Sequence, residues 1–124
     1  MSDKLVQLVR RKPLLLLSRR DLESKKLFYH GLVHYAARHS VGFGNDSQEM
    51  LFLFSRALEI GYEGVTHEER FNEQIYYLAR KWLEIFMRLL PKALREGNDA
   101  TVNDCEIHIG ACQLIVDYYK GATA

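Results

Sequence analysis

Three of the five histidines in this 124-residue chain lie in one stretch, FYHGLVHYAARHS, which spans residues 28–40. Imidazole serves as a general acid or base near neutral pH and is a frequent metal ligand. His30 and His34 are four positions apart, so in a helix their rings share one face and could meet at a metal ion. This stretch is therefore the first candidate for chemistry.

A second group with metal-ligand chemistry follows near the end of the chain, where Cys105, His108 and Cys112 share one side of a helix. If that helix were beside His30 and His34, the five side chains could form a zinc site. The cysteines fall on an apolar seam, however, and no CxxC or HExxH motif is present. We predict no metal site, and the sequence leaves open whether the five groups converge.

Catalytic patterns are also weak, so we expect no enzyme, no catalytic residue and no cofactor. A thiol nucleophile needs an exposed thiolate beside a base, whereas seam cysteines are shielded. The GFGND stretch lacks the remaining residues of a dinucleotide or phosphate loop. Cys105 and Cys112 are two helical turns, about 10.5 Å, apart, which is too far for a disulfide. Unpaired thiols and a four-leucine run too short for a signal peptide predict a cytoplasmic protein without a membrane partner.

Helix start and stop signals divide the chain, and strand signals are nearly absent. Three residue pairs predict helix starts: Ser18 with Asp21, Asp46 with Glu49, and Thr66 with Glu69. Gly61 and Gly97 predict helix ends, and Pro91 predicts a kink or a break in the longest helix. The fold is expected to be all-α, a compact bundle of four main helices at about 19–39, 47–60, 67–96 and 100–120.

Apolar residues recur at helical spacing on two long segments. One seam comprises Phe71, Ile75, Leu78, Trp82, Ile85 and Leu89, with a second stripe at Ala79, Leu83, Phe86 and Leu90. The other seam comprises Val102, Cys105, Ile109, Cys112, Val116 and Tyr119. The segment 47–60 is apolar nearly all round, which indicates a central helix or burial by a partner, and we expect a homodimer. Gly31 predicts a close helix crossing.

Charge is distributed unevenly along a chain whose net charge is +1. Residues 1–26 hold eight basic and three acidic side chains, so the remainder is mildly acidic. We treat 1–124 as a single helical domain in which residues 1–18 form a basic arm or a short helix. Arginine pairs well with carboxylates and phosphates, which makes an acidic patch on another protein the first expected partner and nucleic acid the second.

Tyrosine is frequent, with seven copies, and it favours interfaces because it combines a large apolar area with a polar tip. In each adjacent tyrosine pair one ring should point inward and the other outward. The predicted partner-binding residues are the basic group and the outward aromatic residues: Arg10, Arg11, Lys12, Arg19, Arg20, Phe43, Tyr62, Tyr77 and Tyr118.

The amino-acid sequence is compatible with three functions. The first is a non-enzymatic helical protein-binding module, such as a regulator, inhibitor or chaperone-like adaptor, that acts through an apolar, tyrosine-rich helix surface and the basic N-terminal segment. The alternative is a nucleic-acid-associated accessory subunit that contacts phosphates through that segment. The third is a small metal-dependent helical enzyme, which depends on the histidine and cysteine spacing alone.

Overall fold

The computed structural model describes residues 17–42, 44–64 and 73–123. These residues form four α-helices and contain no strand, which confirms the predicted all-α bundle. The helices are α1 (Arg19–His39), α2 (Gly44–Leu58), α3 (Glu73–Glu96) and α4 (Asp99–Thr123), and a π-helical turn (Glu59–Glu63) extends α2. The predicted short N-terminal helix and the start at Thr66 lie outside the described residues. None of the described helices is both long enough and apolar enough to cross a bilayer.

Helix α1 has the predicted bounds because both of its ends are capped. The Ser18 hydroxyl oxygen accepts a hydrogen bond from the backbone N–H of Asp21 at 3.1 Å, and the Asp21 carboxylate accepts one from the Ser18 N–H. Leu17 and Leu22 are both buried in the same core cluster, as a hydrophobic staple requires. The helix ends at Ser40, whose φ of +53° is left-handed and whose N–H donates to the Ala36 carbonyl.

The helical path of α2 and the π-helical turn extends beyond the predicted 47–60 at both ends. The helix begins at Gly44, so Asp46 lies in its first turn rather than at the cap, where its charge still favours the helix dipole. Glu49 accepts hydrogen bonds from Trp82 Nε1 at 2.9 Å and Lys81 Nζ at 3.0 Å, so a tertiary contact replaces the expected capping role. The helical path also continues through Gly61, which packs on Leu114, into the π-helical turn.

Helix α3 runs through Pro91 without the break that was one of the two expected outcomes. Leu90 and Ala93, on either side of the proline, are buried against the core, and this packing opposes a break where one backbone hydrogen bond is lost. Gly97, with φ +66°, ends the helix as predicted. Its N–H donates to the Leu94 carbonyl and that of Asn98 to the Ala93 carbonyl, the two bonds of a Schellman motif.

The Asn98 side chain then starts α4, because its Oδ1 accepts a hydrogen bond from the Thr101 N–H at 3.1 Å. Helices α1 and α2 pack together as one hairpin and α3 and α4 as a second, and the hairpins meet mainly where α2 contacts α4. The predicted α4 seam is buried or half-buried throughout. On α3 the second stripe faces the core more deeply than the predicted first seam: Ala79 and Leu90 are buried, whereas Leu89 is 43% exposed.

Candidate functional site

His108 is fully buried near the middle of the bundle and has a hydrogen-bond partner on each ring nitrogen. Nδ1 lies 2.8 Å from the backbone carbonyl of Asp104, one turn earlier on α4, and Nε2 lies 2.5 Å from the Tyr29 hydroxyl of α1. A carbonyl oxygen can only accept, so Nδ1 carries the hydrogen. Nε2 is therefore the acceptor for the Tyr29 O–H, and the neutral imidazole has both nitrogens satisfied.

Aromatic rings from the three other helices surround this imidazole. Phe86 of α3 stacks on the ring with a centroid distance of 4.2 Å, and Phe54 of α2 meets it edge-on at 5.1 Å. Tyr29 contributes a further edge contact at 5.7 Å. Burial in this apolar setting lowers the pKa of His108, and the Asp104 carbonyl and carboxylate offset only part of that effect. His108 is therefore neutral at neutral pH.

An ion pair lies at the edge of the same cluster. Lys25 of α1 pairs with the Asp104 carboxylate, and both side chains are partly exposed. The Asp104 carboxylate also lies 3.8 Å from His108 Nδ1. Burial, together with the charge of Asp104, raises the pKa of Tyr29, so its hydroxyl stays protonated and available as a donor.

The two cysteines are unpaired and buried, as their spacing predicted. Burial raises the pKa of Cys112 to about 12, and burial together with Asp104 raises the pKa of Cys105. Neither thiol ionises readily, so the chemistry of a thiolate nucleophile is not favoured at either position.

His30 and His34 form a separate group on the opposite, exposed side of α1. Their rings contact each other with a centroid distance of 4.9 Å. The five candidate metal ligands thus fall into an exposed pair and a buried group. In the part of the chain that the structure describes, no three His, Cys, Asp or Glu residues are placed to share a metal ion.

The outer face of α1 exposes three large apolar or aromatic side chains. Leu27 is 73% exposed, Phe28 54% and Tyr35 52%. Gly31 lies between them along the helix, and a Cβ there would meet nothing within 4 Å. The predicted helix crossing at Gly31 is therefore wrong within this chain, because the glycine points away from the core. We call this surface, Leu27, Phe28, Gly31 and Tyr35, the α1 outer face.

A groove of about 490 Å³ runs beside the α1 outer face, between α1 and the end of α2. Among the described residues, two leucines and four ionisable side chains line it: Leu27, Leu58, Glu23, Lys26, His30 and Glu63. Glu63 belongs to the π-helical turn, a rare local structure that occurs frequently at functional sites. The groove can accept an apolar side chain between charged rims.

Those predicted partner-binding residues that the structure describes lie on four elements: α1, the π-helical turn, α3 and α4. Arg19 bonds to Glu23 at 2.7 Å, and Tyr62 donates from its hydroxyl to the Leu17 carbonyl at 2.6 Å, which places Tyr62 beside the start of α1. Tyr77 is 60% exposed on α3, whereas Tyr118 on α4 is half-buried against the core. Arg20 is exposed on α1. Four others lie outside the described residues: Arg10, Arg11, Lys12 and Phe43.

Sequence reasoning missed two features. The sequence analysis did not single out Arg56, which is buried and whose Nε donates to the Tyr119 hydroxyl at 2.8 Å. The exposed Leu27 and Phe28 were also overlooked. The sequence did indicate that Leu27 and Phe28 are exposed, because both residues fall outside the helical stripe that includes Leu22 and Ala36.

The function must be inferred from these contacts and surfaces. Comparison of this chain with protein-family models, with curated proteins and with solved structures finds no match.

Proposed function

We propose that this chain is a non-enzymatic, cytoplasmic protein-binding module whose contact surface is the α1 outer face. The observation that carries the proposal is the exposure of Leu27, Phe28 and Tyr35, each more than half exposed within two and a half turns of one helix. Clustered large apolar side chains on a surface mark interaction sites more often than isolated ones do. The two unpaired buried thiols support the cytoplasmic location.

The charges on α1 support an acidic partner. The helix carries five Arg or Lys side chains and two acidic ones. Two of the basic residues are paired, Arg19 with Glu23 and Lys25 with Asp104. Among the described residues, the remaining three have no ion-pair partner: Arg20, Lys26 and Arg38. An acidic segment with apolar side chains is therefore complementary to the face in both charge and hydrophobicity.

The groove supports this choice of occupant. An apolar side chain of the partner fits beside Leu27, whose exposed apolar area would be buried by the contact. Lys26 on the groove rim is positioned to pair with an acidic neighbour of that anchor. A second copy of α1 is a poorer occupant, because two such faces would bring their unpaired basic side chains together.

The experiment compares variants of the full chain as bait in extracts of the native cell. We expect wild type to retain a protein in stoichiometric amount, and L27S/F28S to lose it because the apolar contact is removed. Y77S is the matched control, since Tyr77 is equally exposed on α3 and should retain the partner. Charge reversal in R20E/K26E/R38E should weaken retention of the partner. It should also make that retention less sensitive to the salt concentration, because the attraction between opposite charges is removed.

Three outcomes contradict the proposal. Equal retention by wild type and L27S/F28S would place the contact elsewhere. Loss in Y77S alone would favour the tyrosine surface predicted from sequence. Recovery of nucleic acid without stoichiometric protein would favour the accessory-subunit alternative, for which the basic residues Arg10, Arg11 and Lys12 remain the predicted contacts.

The homodimer stays a prediction with its own test. Light scattering at micromolar concentration should give the mass of two chains if it forms. If L27S/F28S converts that mass to one chain, a second copy occupies the α1 outer face, and the acidic-partner proposal for this face is wrong.

A further inference from the structure

The polar contacts between α1 and α4 are concentrated around one buried imidazole. Tyr29 of α1 donates to His108 Nε2, and Lys25 of α1 pairs with Asp104, one turn before His108 on α4. The remaining contact between the two hairpins is mainly that of α2 with α4. Both polar contacts between α1 and α4 therefore lie at His108 or at Asp104, which also bonds to it.

The neutral imidazole of His108 has one arrangement in which both ring nitrogens are hydrogen-bonded. Nδ1–H donates to the Asp104 carbonyl, and the Nε2 lone pair accepts from the Tyr29 hydroxyl at 2.5 Å. A proton taken from solvent by Nε2 occupies this lone pair and turns the acceptor into a donor. The Tyr29 O–H then loses its acceptor and must turn away so that its oxygen can accept from Nε2–H, and a positive charge is placed among apolar rings.

We propose that His108 is a proton-sensitive latch between the two hairpins, closed when the imidazole is neutral and released when Nε2 is protonated. Release separates α1 from α4 and exposes the aromatic rings that surround the imidazole. The latch is a property of the bundle and does not depend on the proposed partner, although α1 also carries the proposed contact surface.

The groups that face His108 favour the neutral form. From α1 come the Lys25 ammonium and the Tyr29 hydroxyl, and from α4 comes the Asp104 carboxylate, with the neutral thiol of Cys112 close to Tyr29. Helices α2 and α3 contribute only apolar rings at this position, those of Phe54 and Phe86. The Asp104 carbonyl and carboxylate favour the cation, and the carboxylate is already paired with Lys25.

The direction in which burial shifts the pKa of His108 determines whether acid strengthens or weakens the latch. Burial lowers the pKa of His108 below that of an unfolded histidine, about 6.5. Released or unfolded chains therefore bind a proton that the closed bundle does not. The latch is fully closed above about pH 6.5 and weakens as the pH falls below that value.

The test is amide hydrogen exchange of the full chain at pH 7.5 and 5.5, corrected for intrinsic rates. We expect the protection of α1 amides to fall by up to about tenfold, the most that one group with an unfolded pKa near 6.5 can produce at pH 5.5, with a smaller fall in α3. Y29F keeps the aromatic ring but removes the donor. Its α1 protection at pH 7.5 should already be close to the wild-type value at pH 5.5.

Matched controls use the exposed histidines. H30Q/H34Q/H39Q should keep the full pH response, because these side chains lie on the solvent side of α1. An NMR titration of the wild-type His108 ring, which needs no substitution, should give a midpoint that coincides with the loss of α1 protection. The proposal is overturned if the triple variant loses the response, if Y29F responds like wild type, or if α1 and α3 lose protection equally.

Discussion

His108 and the pair His30 and His34 occupy opposite environments on the same bundle. His108 is fully buried, with a defined tautomer and rings from three other helices around it. His30 and His34 are exposed and contact mainly each other at 4.9 Å. The clustered histidines thus face solvent, and the isolated one forms the buried polar centre. Proximity in sequence is therefore a poor guide to shared chemistry, because residues a few positions apart can point to opposite sides of a helix.

Tyr29 makes the contrast sharper, because it is the neighbour of His30 in sequence. A step of one residue turns the side chain by about 100° around the helix axis. That rotation places Tyr29 against His108 and Phe54, whereas His30 lines the outer groove. The stretch 28–40 therefore contributes to both the proposed latch and the proposed binding surface.

The strongest test of this comparison is the substitution H108A. It removes two hydrogen bonds, leaves the buried Tyr29 hydroxyl without its acceptor and opens a cavity between Phe54 and Phe86. We expect the free energy of unfolding to fall by about 3 kcal/mol. Urea denaturation measures this change, and H30A is the control, with a change within about 0.5 kcal/mol. Similar losses in both variants would contradict the contrast between the two environments.

A second test uses the pH dependence of global stability. Since burial lowers the pKa of His108, its contribution to folding is complete above about pH 6.5 and is lost as the pH falls, at about 1.4 kcal/mol for each unit by which the pKa is lowered. Denaturation curves from pH 8 to 5 should show this loss in wild type and in H30Q/H34Q/H39Q alike. A flat profile in the triple variant would assign the effect to the exposed histidines instead.

A third test removes the ion pair beside His108 without changing the aromatic rings around it. K25M keeps the aliphatic stem but removes the charge that pairs with Asp104 and opposes protonation of His108. Because both partners are partly exposed, we expect a stability loss of about 1 kcal/mol or less. The pKa of His108 should rise, which an NMR titration of its ring measures. R20M removes a charge on the exposed side of α1 and should leave that titration unchanged.

The smallest expected effect is that of H30Q/H34Q. Both side chains are exposed, so we expect the free energy of unfolding to change by less than about 0.5 kcal/mol. The readout that can move is binding, because His30 lines the proposed groove. A stability loss comparable to that of H108A would show that the exposed pair supports the fold after all.

Local signals in the sequence were sufficient for much of the architecture. Ser18 with Asp21, Gly97 and Asn98 each act through neighbours within five residues, so their capping roles were readable in advance. The capping role of Glu49 and the helix end at Gly61 were misjudged because partners on other helices decided their surroundings. Glu49 bonds to α3 and Gly61 packs on α4, and no local pattern encodes either contact.

The α1 outer face, like the helix ends, could be predicted from the sequence only in part. Helical spacing separated the two sides of α1, because side-chain direction depends only on position along the helix. It did not show that Leu27, Phe28 and Tyr35 would be left uncovered, since that depends on where α2 and α4 lie. Tyr62, Tyr77 and Tyr118, the tyrosines predicted to bind a partner, lie on three different elements, because the packing of the helices also decides which faces come together.

By itself the sequence determined the helical class, the bounds of α1, the inward face of α4 and the separation of the two cysteines, all of which depend on spacing along one chain segment. Tertiary structure alone decided that His108 meets Tyr29 and Phe86, that α3 continues through Pro91 and that α1 turns an apolar face to solvent. Those outcomes depend on which helices are neighbours, and hydrophobic burial chooses neighbours by the summed fit of whole faces rather than by any single motif.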